Sequence, residues 1–171
     1  MQKFVKALLF IVCGLIVAMW VYAFGFAPRE SFNKIGDDAW KARAQARCLR
    51  AREERFAFQD LTRMDPNDHA AMLKKADIVD KATDSLERAI NDIAADVPND
   101  PKGRDLVPQW IADYRILIDN RREFADELRS MTRRPYFAES EKDGVPISEP
   151  IGKFARENSM RACQPPTDLS V

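Results

Sequence analysis

ADIVDKATDSLERAINDIAADV, residues 76–97, is the stretch that decides the fold class. Ala76, Val79, Thr83, Leu86, Ile90, Ile93 and Val97 recur at alternating steps of three and four. That 3.5-residue period lays one seam along a helix, as in a bundle or coiled coil. Asp65 reads as the N-cap of this helix, Pro66 as its first helical residue and Asp68 as a first-turn acid. Asp77, Asp80, Asp84, Glu87, Asp92, Asp96 and Asp100 stand against only Lys81 and Arg88, so residues 77–100 carry a charge of −5.

The same spacing returns on the far side of a turn. Pro98-Asn99-Asp100-Pro101-Lys102-Gly103 is a breaker cluster. A further helix is predicted from near Asp105 to about Ser130, with Pro108 accommodated in its first turn, where amides lack intrahelical partners. Val107, Trp110, Tyr114, Leu117, Arg121, Phe124, Leu128 and Met131 form its seam. The short connection predicts antiparallel neighbours.

Upstream, residues 38–63 predict another amphipathic helix, capped by Asp37 or Asp38. Trp40, Ala44, Cys48, Ala51 and Phe58 fall near one face, widened by Leu49 and Phe56. Lys41, Arg43, Arg47, Arg50, Arg52 and Arg55 oppose Glu53 and Glu54, a charge of +4. Opposite charge predicts pairing of this helix with the acidic one, although exposed ion pairs contribute only about 0–1 kcal/mol each. Arg43, Arg47 and Arg50 are also the candidate contacts for lipid phosphates or an acidic partner.

The expected architecture is therefore all-α. A three-helix bundle over residues 38–131 is followed by residues 132–171, an irregular segment with a short helix and a tail packed on the bundle. The short helix is predicted from Ser148 to Cys163, with Ile151, Phe154, Ala155, Asn158 and Ala162 on one face, and Pro165-Pro166 stops it. Pro135-Tyr136-Phe137 is expected to pack back, and Thr167–Val171 to be a polar, mobile tail.

Ahead of the bundle lies ALLFIVCGLIVAMWVYAFGFAP, Ala7–Pro28, which contains no charge. About 20 apolar helical residues cross a ~30 Å hydrocarbon core. A transmembrane helix over about 4–27, within an anchor of residues 1–28, and a linker of 29–37 are predicted. Lys3 and Lys6 precede the apolar run, so the N-terminus is expected in the cytoplasm and the remainder outside. A cleaved signal peptide is the alternative. Its apolar region would be shorter, and Gly25-Phe26-Ala27 is followed by Pro28. Trp20 and Tyr22 suit an interfacial belt.

Three cysteines are present. Cys13 falls in the span. Cys48 and Cys163 would share an oxidising space and are expected to pair, two buried free thiols being the alternative. The bridge would close a loop worth on the order of 4–5 kcal/mol.

Chemistry is sparse. Net charge is +0, which argues against nucleic acid as the main partner. His69 is the only histidine and no Cys-x-x-Cys occurs, so no metal or other cofactor is expected. Asp37-Asp38 and Glu53-Glu54 read as capping and solvated acids rather than a catalytic pair. Residues 96–105 lack the ligand alternation of a calcium loop. Neither a Gly-rich phosphate loop nor Gly-x-Ser-x-Gly is found. Leu169-Ser170-Val171 could enter a groove that captures apolar C-termini. The chain is not expected to be an enzyme.

Phe154-Ala155-x-x-Asn158-x-Met160-x-x-Cys163-x-Pro165-Pro166-x-Asp168-Leu169, together with an anchor and an Ala39-Trp40 helix carrying Cys48, resembles uncharacterised single-pass membrane proteins of actinobacteria. The resemblance implies an envelope location and two cysteines that pair, and it brings no activity. In layout alone the chain is also similar to LemA-like proteins. The expected role is a membrane-anchored extracytoplasmic interaction or scaffold protein, an accessory subunit of a larger complex in the plasma membrane. The alternatives are a spanin-like bridge between envelope layers and a carrier of a hydrophobic ligand.

Overall fold

The computed structural model describes residues 2–26, 31–59, 65, 67–130 and 135–169, with side chains from Phe4 onward. The chain divides into two units, Met1–Phe32 and Asn33–Val171.

The first unit is helix α1, Gln2–Gly25. Its window Phe4–Gly25 is 22 residues long with a mean hydropathy of 2.5, long and apolar enough to cross a membrane. Its large apolar side chains are 45–80% exposed on every face. Trp20 and Phe24, one turn apart, stack with centroids 5.1 Å apart.

The second unit is helical, with helices α2 (Asp38–Phe58), α3 (His69–Ala94), α4 (Pro101–Ser130) and α5 (Ser148–Glu157), then a single 3₁₀ turn at Arg161–Cys163. Ion pairs set the helix directions. Arg43 and Glu54 of α2 meet Asp96 and Arg88 respectively, while Arg122 and Arg129 of α4 meet Glu87 and Asp77. Numbers rise on one helix as they fall on its neighbour, so α3 is antiparallel to both. A rod spanning envelope layers would need one continuous helix, and this chain reverses twice.

The bundle has four walls rather than three. Helix α3 packs on α2 and on α4, but α2 and α4 make no close backbone approach to each other. The C-terminal segment lies between them: the 3₁₀ turn packs on α2, and α5 on α4. Tyr114 donates its hydroxyl to the Cys163 carbonyl at 2.6 Å, and Trp110 its indole N–H to the Ile151 carbonyl at 3.2 Å. The expected late helix is thus part of the core. It ends at Glu157 because Ser159 turns to φ 60°, and Ile151, Phe154, Ala155, Asn158 and Ala162 are nevertheless all buried.

The caps correct two predicted boundaries. Asp68, not Asp65, caps α3, accepting the Ala71 amide, while Asp65 accepts the Asn67 amide. Pro66 and the end of the range predicted for α2, residues 60–63, lie outside the described residues. Helix α4 starts at Pro101, four residues before Asp105, because Asp100 accepts the Gly103 amide at 2.8 Å. Pro108 therefore sits inside the helix rather than in its first turn, and one intrahelical hydrogen bond is lost there. Asp37 caps α2 and also accepts the Asn99 amide, while Asp100 also accepts the Gly36 amide. The two capping carboxylates thus each hold the other's strand of chain. A Cβ at Gly103 would stand 2.9 Å from Pro98, so only glycine fits this turn.

Along the seams, Ala76 to Ile93 are buried as predicted, but Val97 is 65% exposed because α3 ends at Ala94. On α2 the buried face runs Trp40, Ala44, Cys48, Ala51 and then Arg55, while Phe56 and Phe58 face outward. Thr83 and Arg121 occupy seam positions and divide the core in two. Leu86, Ile90, Ile93, Trp110 and Tyr114 lie on one side. Met72, Ala76, Val79, Ala125 and Leu128 lie on the other, together with Leu169. Leu169 of the tail is consequently 7% exposed and part of the core, not the free polar end expected of it. Ser170, Val171 and Met131 lie outside the described residues.

Residues 135–147 also carry order. Glu141–Lys142 (β1) and Val145–Pro146 (β2) pair antiparallel around Asp143-Gly144, both at positive φ. Phe137 packs edge-on against Phe124 at 5.8 Å, whereas Tyr136 is exposed.

Candidate functional site

Cys48 and Cys163 form a disulfide with Cα atoms 5.1 Å apart, joining α2 to the 3₁₀ turn. Both are buried. Beside it, Ala162 donates its amide to the Gln45 side chain.

The three arginines singled out on α2 have different surroundings. Arg43 grips Asp96 through two hydrogen bonds of 2.8 and 2.9 Å, and Arg47 adds a third at 2.6 Å. The Asp96 carboxyl is held at about 2, chiefly by the Arg43 hydrogen bonds, with Arg47 assisting against desolvation. Arg50 is exposed. The expected match between α2 and the acidic helix is otherwise redirected. Asp77, Asp80, Asp84 and Glu87 lie on the stripe facing α4 and bind Arg122 and Arg129. At the other end of α2 the polarity inverts, because Glu54 accepts from Ser85 and from Arg88 of α3. Among the described residues no three His, Cys, Asp or Glu side chains cluster as a metal site would require.

A site not anticipated from the sequence opens one turn beyond the disulfide. Arg52, Arg55 and Phe56 are spaced i, i+3 and i+4 on one stripe of α2, and Gln59 is its C-cap. With Arg161, Ala162 and residues 164–168 they line a pocket of about 360 Å³. Arg161 stands at the rim, and Phe56, Pro165 and Pro166 supply apolar walls.

The electrostatics of its floor are unbalanced. Arg121, 1% exposed, takes both oxygens of Asp168 at 2.8 and 3.0 Å and donates Nε to Thr83 at 3.0 Å. Burial raises the Asp168 carboxyl, and Arg121 more than reverses this, leaving it below its ordinary value. Arg55 is only 8% exposed and shares that same carboxylate at longer range. Burial drives its pKa down, Asp168 opposes, and Arg121 adds to the depression. Among the described residues Arg52 Nε is buried without a hydrogen-bond partner. Two buried guanidiniums therefore share one carboxylate whose oxygens are already used by one of them.

Arg43, Arg47 and Arg50 stood out in the sequence as a basic face, while the pocket arginines belong to the same run and carry no separate mark. What distinguishes them is Asp168, brought back by the disulfide and the tail. No protein-family model, curated protein or solved structure matches the chain.

Proposed function

We propose that the chain is a membrane-anchored scaffold or interaction protein. Residues 7–28 sit in the plasma membrane as a single-pass anchor with the N-terminus in the cytoplasm. The folded unit works outside the cytoplasm and engages another envelope component, as an accessory subunit of a larger complex. The disulfide of the folded unit, following an apolar helix exposed on every face, carries this reading. Disulfides persist in oxidising compartments, and a helix with such a surface needs lipid around it. Lys3 and Lys6 before the span support the orientation. Purification of the natively expressed protein in mild detergent, with mass determination and identification of whatever travels with it, tests the role. A stoichiometric complex with other membrane proteins is expected, and a lone monomer or homo-oligomer would overturn it.

A further inference from the structure

We infer that the pocket between the end of α2 and residues 161–168 binds a phosphate group, carried either by an anionic lipid headgroup or by a soluble phosphate ester. The inference holds whichever side of a membrane the folded unit occupies.

Charge and hydrogen-bond supply both lead there. Among the described residues the lining holds Arg52, Arg55 and Arg161 against Asp168, an excess of two positive charges. Arginine does not lose its proton in proteins, so Arg55 stays a cation although the residue is only 8% exposed. A buried charge without hydrogen-bonded compensation is costly, and an incoming anion removes that cost. Arg52 presents a buried N–H with no acceptor, which the same anion would satisfy.

Shape selects the kind of anion. A planar carboxylate is satisfied by one bidentate guanidinium, as Asp168 is by Arg121. Arg52 and Arg55, one helical turn apart on α2, and Arg161 from the C-terminal segment all line the pocket, and three such donors suit a tetrahedral group with several oxygens. The volume exceeds that of a bare ion, and Phe56, Pro165 and Pro166 offer apolar surface to whatever the phosphate is attached to.

The test uses the full-length protein in detergent and in lipid nanodiscs. Thermal unfolding is followed with inorganic phosphate, with glycerol 3-phosphate, and with chloride at matched ionic strength. Nanodiscs of phosphatidylcholine alone are compared with others containing phosphatidic acid. Stabilisation by glycerol 3-phosphate or by phosphatidic acid supports the site and names its source, with a rise of about 3 °C or more expected. Arg55→Met should abolish the response while leaving the ligand-free protein about as stable or more so, since it removes a buried cation whose carboxylate is already engaged by Arg121. Arg52→Gln, at a half-buried position, should weaken the response several-fold without affecting folding. Equal responses to phosphate and chloride in wild type, with no gain from phosphatidic acid, overturn the inference. So does an undiminished phosphate response in Arg52→Gln and Arg55→Met.

Discussion

Arg121 and Asp168 meet through two parallel hydrogen bonds of 2.8 and 3.0 Å, and this contact, with the buried Leu169 beside it, fastens the tail to the seam between α3 and α4. Arg121 holds a position where the period calls for an apolar residue. The carboxylate that makes it tolerable comes from the C-terminal tail, 47 residues further along the chain. Removing only the acid should therefore be severe. Asp168→Ala leaves two buried cations, Arg55 and Arg121, and is expected to lower stability by about 3 kcal/mol or more. The double variant Arg121→Met, Asp168→Ala should recover much of that loss. Urea unfolding of the four proteins of this cycle provides the measurement, and additive losses would show that the two residues act separately.

The disulfide closes a separation of 115 residues. Cys48→Ser with Cys163→Ser should cost about 4 kcal/mol, seen as a lower urea midpoint that reductant does not shift further. Non-reducing peptide mapping of the native protein should give a single cross-linked species containing both cysteines. Free thiols at both positions would sink the bridge.

Acid should loosen the fold. Asp96 is held at about 2 against an ordinary 3.8 by its hydrogen bonds to Arg43, with Arg47 assisting against desolvation. A depressed folded value means that the stabilisation is full above about pH 4 and is lost as the pH falls toward about 2. Asp168 and Asp80 shift in the same direction. Stability should fall steadily below about pH 4. Because Arg43 is partly exposed, Asp96→Asn should cost only about 1 kcal/mol at neutral pH and flatten the acid limb. An acid limb unchanged in that variant would contradict the assignment.

Much of this fold is legible in periodicity. The seams of α3 and α4 and most of the α2 face follow from spacing, because helical burial depends on a repeat that sequence displays directly. What spacing does not contain is where a helix stops. Val97 continues the repeat in number, but Ala94 ends the helix before it. Asp65 and Asp68 are equally good caps by type, and only the direction of the chain chooses between them. Arg55 replaces Phe58 at the buried position because its compensating charge is remote in sequence. The Asp143-Gly144 hairpin is different, since that dipeptide is itself a local turn signal, and the two-residue strands around it are too short to show alternation.

Asn158 accepts the Ile35 amide at 2.9 Å and donates to the Asn33 carbonyl at 2.9 Å, fastening the segment before α2 to the end of α5. Asn158→Ala leaves those backbone groups unpaired at a buried site and should cost about 2 kcal/mol. Hydrogen exchange at the Ile35 amide should accelerate far more than exchange within α3. Uniform acceleration would mean that the contact is not local.

Ser159 holds φ 60° without being glycine. Ser159→Gly should relieve the left-handed strain and raise stability by about 0.5–1 kcal/mol, readable as a higher unfolding midpoint. A lower midpoint would show that the serine side chain contributes more than its backbone strain costs.

The Cys48–Cys163 bridge also constrains the order of events during biogenesis. On the proposed topology Cys48 emerges early and waits, reduced, while the whole of α3 and α4 is delivered, since no other cysteine lies between it and Cys163. Two thiols permit a single intramolecular connectivity. The domain therefore asks only for an electron acceptor at the end of export. It has no wrong pairing to undo, and no need of an isomerase to correct one.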